Sequence, residues 1–206
     1  MRKNKGIRVL VLGILPVFFV LSCSPKPATI VKSYVEAYNA HDLEKLLSLH
    51  SEKASFEVIG QVSLKGKNEL RDLAEHDFAL NIHMSLGECK TQGDSVICEL
   101  TETNEWLKAA GIEEAQYSGT FVIQDGLIVS IKAKQASETE RAFKMVLGPL
   151  LAWASEHRSQ LVKEMMPEGK FVYNAENARK SLLLLQEFKE DLMRGEGSAI
   201  WKKIGE

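Results

Sequence analysis

The stretch YVEAYNAHDLEKLLSLHSEKASFEV, residues 34–58, contains the signals for two helices and one strand. Its first part continues a helical apolar face that begins after Ala28, because apolar residues recur there every three or four positions. That face consists of Ile30, Val31, Tyr34, Val35 and Tyr38. Asp42 stands directly before a leucine-rich segment, which is the place of a helix N-cap. The segment ASFEVIG, residues 54–60, then predicts a short strand.

Beyond this stretch the chain returns to a helical pattern and then alternates. KGKNEL, residues 65–70, predicts a turn with Asn68 as the N-cap of a third helix. After Asn81 the apolar period becomes two, and turn signals at Gly93 and at Asp125–Gly126 predict hairpins. The predicted strands are IHMSLGECK (82–90), SVICELTET (95–103), YSGTFVI (117–123) and LIVSIKAK (127–134). Between the second and third of these, NEWLKAAG (104–111) predicts a short helix with Asn104 as its N-cap. Helices followed by hairpin-connected strands indicate an α+β domain over residues 28–135.

A helical C-terminal extension is predicted over residues 136–206. Ser137 and Glu140 have the spacing of a capping box at the start of its first helix. Gly148–Pro149 is expected to kink or divide that helix, because proline removes a backbone donor. Asn174 is the predicted N-cap of a last helix.

The N-terminal residues 1–22 have the form of an export signal. Four basic residues precede an apolar run from Val9 to Leu21, which is too short for a spanning helix of about 20 apolar residues. The segment VLSC, ending at Cys23, resembles the lipobox of bacterial lipoproteins. That resemblance implies lipidation of Cys23, a linker over 23–27, and attachment in the cell envelope. With Ser24 following, it implies the periplasmic face of the outer membrane in a two-membrane bacterium.

Charge argues against a nucleic-acid partner. The whole chain carries a net charge of −2, and loss of the four basic signal residues would leave −6. Acidic and basic residues are mixed along the chain, whereas a nucleic-acid footprint needs clustered Lys and Arg. The composition, 45% apolar and 26% charged, is that of a soluble globular domain with its own core.

The order of elements resembles the SnoaL-like branch of the NTF2-like superfamily, also called the cystatin-like cone. The residues that carry this resemblance are 34–58 together with KGKNELRDL (65–73) and GTFVIQDGLIVSI (119–131). It implies a curved, mostly antiparallel sheet around the first helix, with a cavity at the open end of the cone. Many members dimerise through the sheet, so a homodimer is one expectation. NEWLKAAGI, AWASEHRSQL and MPEGKFVYNAENARKSL resemble segments of uncharacterised bacterial members with a helical C-terminus.

Several residues are candidates for lining such a cavity. Tyr34 and Tyr38 lie one helical turn apart and could present their hydroxyls, although buried tyrosines also serve as packing. Trp106 and Tyr117 could contact a ligand or fill the core. His76 precedes Asp77, but adjacent helical residues point about 100° apart, so this pair is not expected to cooperate. The histidines are scattered without metal-ligand spacing, and no phosphate loop is present, so no metal or cofactor is predicted.

Cys89 and Cys98 leave two strand registers open. An even hairpin loop sets the cysteines opposite each other, within reach of a disulfide. An odd loop aligns Met84 and Leu86 with the apolar face of the next strand and separates the cysteines. Because a shift of one residue inverts every side chain, only a bulge allows both arrangements.

Three functions are compatible with these observations. The first is a lipid-anchored protein that binds a small apolar molecule or acts as an accessory factor, since no catalytic set is evident in the sequence. The second is an enzyme, because the resemblance implies relatives such as ketosteroid isomerases, polyketide cyclases and dehydratases. The third is a structural partner in the envelope with a filled cone. Fold alone does not select among them.

Overall fold

The computed structural model describes residues 26–194, so the predicted signal peptide and Cys23 lie outside the described residues. Its helices are α1 Pro27–Asn39, α2 Leu43–Ser48, α3 Gly66–Ala79, α4 Glu105–Ala110, α5 Ser137–His157, α6 Ser159–Met165 and α7 Ala175–Arg194, with a short 3-10 turn at Pro167–Gly169. Its strands are β1 His50–Val58, β2 Val62–Lys65, β3 His83–Gln92, β4 Ser95–Thr103, β5 Ala115–Gln124 and β6 Leu127–Gln135. Among residues 26–194, no helix has both the length and the apolar character that a bilayer crossing requires.

The six strands form one curved sheet in the order β2-β1-β6-β5-β4-β3. Strands β1 and β6 are parallel, and every other neighbouring pair is antiparallel. Helix α1 packs across β3, β4 and β5, and its apolar face enters the core beside Phe121 and Ile128. The predicted α+β class and the mostly antiparallel sheet around the N-terminal helix are therefore confirmed.

Three predicted N-caps are present and two are wrong. Asp42, Asn104 and Asn174 each accept a hydrogen bond from the backbone N–H three residues later. Asn68 is not a cap, because α3 already begins at Gly66, and the Glu69 carboxylate accepts from the Lys65 N–H at 2.7 Å. The Ser137–Glu140 capping box does not form either. Helix α5 starts at Ser137 itself, and Glu140 pairs with Lys144.

Both strand registers that the sequence left open for β3 and β4 occur in the structure, on either side of a bulge. Leu86 lies opposite Leu100 and Cys89 lies opposite Cys98, because two residues of β3 face the single residue Glu99 between them. A β-bulge of this kind adds one residue to one strand. Gly87 occupies the bulge, where a Cβ would lie 3.1 Å from the Glu99 Cβ. The two cysteines form a disulfide in the structure.

The C-terminal helices build a second apolar core against α4 and α3. Helix α5 is not divided at Pro149 and ends instead before Arg158, whose φ of −141° and ψ of 38° are not helical. The second core includes Leu107, Val146, Leu150, Leu185 and Phe188. It packs on the turn after α3 through Leu80 and on the sheet through Tyr117. The helical extension therefore covers the end of the cone at which α3 and β4 finish.

Candidate functional site

A group of polar side chains lies between the apolar core of the cone and the second core under the C-terminal helices. Its members come from five elements and one loop: Tyr34 and Tyr38 of α1, His76 and Asp77 of α3, Glu102 of β4, Tyr117 of β5, Gln135 of β6 and Tyr173 before α7. We call this group the recess. Five side chains were predicted from the sequence to line a cavity. Four of them lie together in the recess: Tyr34, Tyr38, His76 and Tyr117.

Helix α1 places two tyrosines on one wall of the recess. Their ring centroids are 5.4 Å apart, as expected for residues one turn apart, and both side chains are buried. The Tyr38 hydroxyl donates to Asp77 Oδ2. The Tyr34 hydroxyl has no hydrogen-bond partner within the part of the chain that the structure describes, although Tyr34 is only 4% exposed. Burial raises the pKa of Tyr34, and the nearby carboxyl groups of Asp77 and Glu102 raise it further. The Tyr34 hydroxyl therefore lies within the electrostatic influence of both acids.

Helix α3 contributes a histidine and a carboxylate that do interact. His76 Nδ1 lies 2.8 Å from Asp77 Oδ1, so the expectation that these neighbours could not cooperate is wrong. Their Cα–Cβ bonds diverge, but both side chains are long enough to meet beyond the helix surface. His76 is buried beneath the rings of Phe171 and Tyr173, at centroid distances of 5.6 and 5.2 Å. Asp77 is thereby held by one partner on each oxygen.

Strand β4 supplies the second acid of the recess. Val96, Cys98 and Leu100 point toward the helices, and Glu102 is the next residue in the same phase of the strand. Asn104 Nδ2 donates to Glu102 Oε1 at 2.7 Å. Burial, with a further contribution from the Asp77 charge, raises the pKa of Glu102 to about 7, against the lowering effect of hydrogen bonds from Asn104 and Tyr117. The alternation in SVICELTET was the signal that could have identified this residue from the sequence.

A chain of side-chain hydrogen bonds links Glu102 to the far edge of the sheet. Tyr117 and Gln135 are register partners on β5 and β6, and Tyr117 hydrogen-bonds both to Gln135 and to Glu102. Gln61, in the β1–β2 turn, donates to Gln135 Oε1. Burial raises the pKa of Tyr117, and the Glu102 carboxyl adds to this. Glu102 is therefore held in position by hydrogen bonds from two neutral side chains, Asn104 and Tyr117.

The recess is not sealed from water. The Asp77 side chain keeps 17% of its surface exposed, and Glu102, Tyr117 and Tyr173 are half-buried. Burial and the Asp77 charge raise the pKa of Tyr173 to about 12, so its hydroxyl stays protonated at neutral pH.

Trp106 and His83 lie outside the recess. Trp106 stacks on Phe143 with ring centroids 5.7 Å apart and belongs to the second apolar core, which is the packing alternative for this residue. His83 is exposed on the outer face of β3. Among residues 26–194, no three His, Cys, Asp or Glu side chains are grouped to hold a metal ion.

Two depressions of about 440 and 420 Å³ lie outside the recess, around α4 and the start of α5. The first shares Asn104 with the site, and its other lining residues include Asn81, Lys108 and Glu113. Both are open grooves that hold neither recess acid. The convergence of titratable groups, rather than the size of a surface groove, therefore identifies the candidate site.

A curved sheet wrapped around α1 is the NTF2-like, or cystatin-like, α+β cone. Residues 31–131 match the SnoaL-like domain family, and this part of the chain is a SnoaL-like domain. A search of curated proteins by sequence found no match.

Solved structures with a similar chain path include proteins of different description. An NTF2-like protein of unknown function from Cytophaga hutchinsonii is 12% identical, with a TM-score of 0.48 over 59% of this chain and 99% of its own. The epoxide hydrolase/cyclase-like enzyme SalBIII of salinomycin pyran ring formation is 17% identical, with a TM-score of 0.49 over 55% and 92%. A putative ketosteroid isomerase from Kribbella flavida is 13% identical, with a TM-score of 0.47 over 54% and 78%.

Proposed function

We propose that this protein binds a small molecule in the recess of its SnoaL-like domain. The observation that carries the proposal is the buried Tyr34 hydroxyl, which has no hydrogen-bond partner among residues 26–194 and lies within the electrostatic influence of the Asp77 and Glu102 carboxyl groups. Buried polar groups are almost always hydrogen-bonded, so an unpartnered hydroxyl close to partly exposed carboxyl groups calls for a bound molecule. A water molecule is the simplest occupant, and an organic ligand is the functional one.

The pair of acids in the recess is unfavourable for the stability of the folded protein. Placing two acids close together inside a protein costs free energy, because burial disfavours each charge and the charges repel. If the cone were only a structural element with a filled interior, apolar side chains at these positions would stabilise it more. The network of Asn104, Tyr117 and Gln135 instead holds Glu102 in one orientation. Such positioning of a polar group is typical of binding sites. The purely structural role considered from the sequence is therefore the weaker proposal.

An acid–base enzyme is the second candidate, and one observation favours it. The pKa of Glu102 is raised to about 7, so this carboxyl can donate or accept a proton at neutral pH. Burial makes ionisation of Glu102 costly, and the charge of Asp77, which Tyr38 and His76 hold in place, adds to that cost. In an isomerase or dehydratase reaction, Glu102 would transfer the proton and the tyrosine hydroxyls would stabilise an oxygen that gains charge.

We further propose that the protein is exported and anchored through a lipid on Cys23. The export-like signal and the lipobox-like VLSC support this placement at the cell envelope. One acyl chain binds a membrane only marginally, whereas two or three hold a protein there. Growth with a labelled fatty acid should mark the wild-type protein, and a Cys23→Ser variant should remain unlabelled. Equal labelling of both would refute the anchor.

Co-purification tests the binding proposal directly. The wild-type protein, isolated from envelopes under native conditions, is denatured, and the released small molecules are identified by mass spectrometry. We expect a molecule that is absent from the Asp77→Asn and Tyr34→Phe variants. Glu99→Gln is the matched control, because Glu99 lies on β4 but is exposed on its other face. The same released molecules from all four proteins, or none from the wild type, would contradict the proposal.

A further inference from the structure

We infer that the recess selects organic ammonium cations, meaning protonated amines attached to a small apolar body. The inference rests on the proposed binding function and names the chemical class of its ligand. It replaces the apolar molecule expected from the sequence, because the side chains that converge in the recess carry acids and hydroxyls.

The first argument is charge. Asp77 and Glu102 are close enough for the Asp77 charge to oppose ionisation of Glu102. Within residues 26–194, no Lys or Arg side chain forms a salt bridge with either carboxyl group, and His76 is the basic group in contact with Asp77. A ligand that brings a positive charge would remove the repulsion between the acids. An anionic ligand would increase it.

The second argument is the aromatic wall. Tyr34 and Tyr38 form one side of the recess, and Phe171 and Tyr173 approach it from the C-terminal extension, with ring centroids 5.2 Å apart. Cations are attracted to the faces of such rings, more strongly where water is excluded. The rings also provide apolar surface for the body of the ligand. Aromatic rings around carboxylates are therefore complementary to an ammonium group.

The third argument is the unpartnered hydroxyl. Tyr34 is buried, and its hydroxyl oxygen can accept a hydrogen bond from an ammonium N–H. It lies beside both acids, so one ammonium group could contact the hydroxyl and a carboxylate together. A neutral alcohol would satisfy the hydroxyl but would leave the charge repulsion unchanged.

Three probes of nearly the same shape separate these possibilities: phenethylamine, phenethyl alcohol and phenylacetate. Their binding to the full-length purified protein is measured by isothermal titration calorimetry slightly above neutral pH, where the amine remains protonated. We expect the amine to bind at least about tenfold more tightly than the alcohol, and phenylacetate not to bind. Glu102→Gln and Tyr34→Phe should each weaken the amine about tenfold, whereas Glu99→Gln should leave it unchanged.

The outcomes distinguish the two proposals. Equal binding of amine and alcohol, both weakened by Tyr34→Phe, would overturn the cation inference and leave binding in the recess intact. Tighter binding of phenylacetate would also overturn it. Failure of the amine to bind, combined with release of a non-basic molecule from the native protein, would refute the ligand class alone. Failure of the amine together with an empty wild-type protein would refute both. Melting temperatures of the variants verify that each has folded.

Discussion

Replacement of Glu102 by Gln should make the protein more stable above neutral pH and leave it nearly unchanged in mild acid. The pKa of Glu102 in the folded protein is raised from its ordinary value of 4.5 to about 7. Between these two values the folded state keeps the proton that the unfolded chain has released. Stability therefore falls as pH rises through this window. Gln keeps the shape and the acceptor for Asn104 but does not ionise.

The size of the effect follows from the shift in pKa. One pKa unit corresponds to about 1.4 kcal/mol, so Glu102 destabilises the wild-type protein by at most about 3–4 kcal/mol once both states are fully ionised. The Glu102→Gln protein should exceed the wild type by up to this amount above the folded pKa. In mild acid, where the carboxyl is protonated in the folded protein, the two should differ by less than about 1 kcal/mol.

Urea denaturation followed by far-UV circular dichroism measures the free energy of unfolding of both proteins at each pH. The quantity of interest is the difference between them, since other titrating groups contribute equally to both. Glu99→Gln is the control, because Glu99 is exposed on the other face of β4 and should show no pH-dependent difference. A difference between wild type and Glu102→Gln that is the same on both sides of neutrality would refute the buried, proton-holding environment of Glu102.

Three further predictions concern the recess, the core and the disulfide. Tyr34→Phe should change the free energy of unfolding by less than about 1 kcal/mol, as measured by urea denaturation, because the hydroxyl has no protein partner among residues 26–194. Phe121→Ala should lower it by about 3–5 kcal/mol in the same assay, because the ring is fully buried against α1. Reduction of the Cys89–Cys98 disulfide should lower the melting temperature, with a loss of about 2 kcal/mol, and a Cys89→Ser variant should already melt at the lower temperature.

Local patterns determined the elements of this protein. Helical periodicity located α1, and alternation located β3 to β6. The starts of α2, α4 and α7 were located by their N-cap side chains, each of which accepts a hydrogen bond from the backbone N–H three residues later. These signals are reliable because the interacting groups are close in the chain. Prediction failed at α5, where the N-terminal turn is occupied by a long-range partner: the Thr139 hydroxyl accepts a hydrogen bond from the Gln116 N–H at 2.9 Å.

The strand register of the cysteines required tertiary information. Local alternation supported two registers equally, and neither could be chosen from β3 and β4 alone. In the structure, the bulge at Gly87 satisfies the apolar alignment of Leu86 and the pairing of Cys89 together.

The sequence by itself determined the cone, the helical extension, and the identities of four of the eight side chains that meet in the recess. Only the tertiary structure decided that Tyr34, Asp77 and Glu102 face one another, since they come from three different elements. It also decided the protonation of Glu102, whose place on the inward phase of β4 is visible in the sequence while its neighbours are not. Burial and nearby charge set the pKa of a carboxyl group, and both are properties of the folded chain.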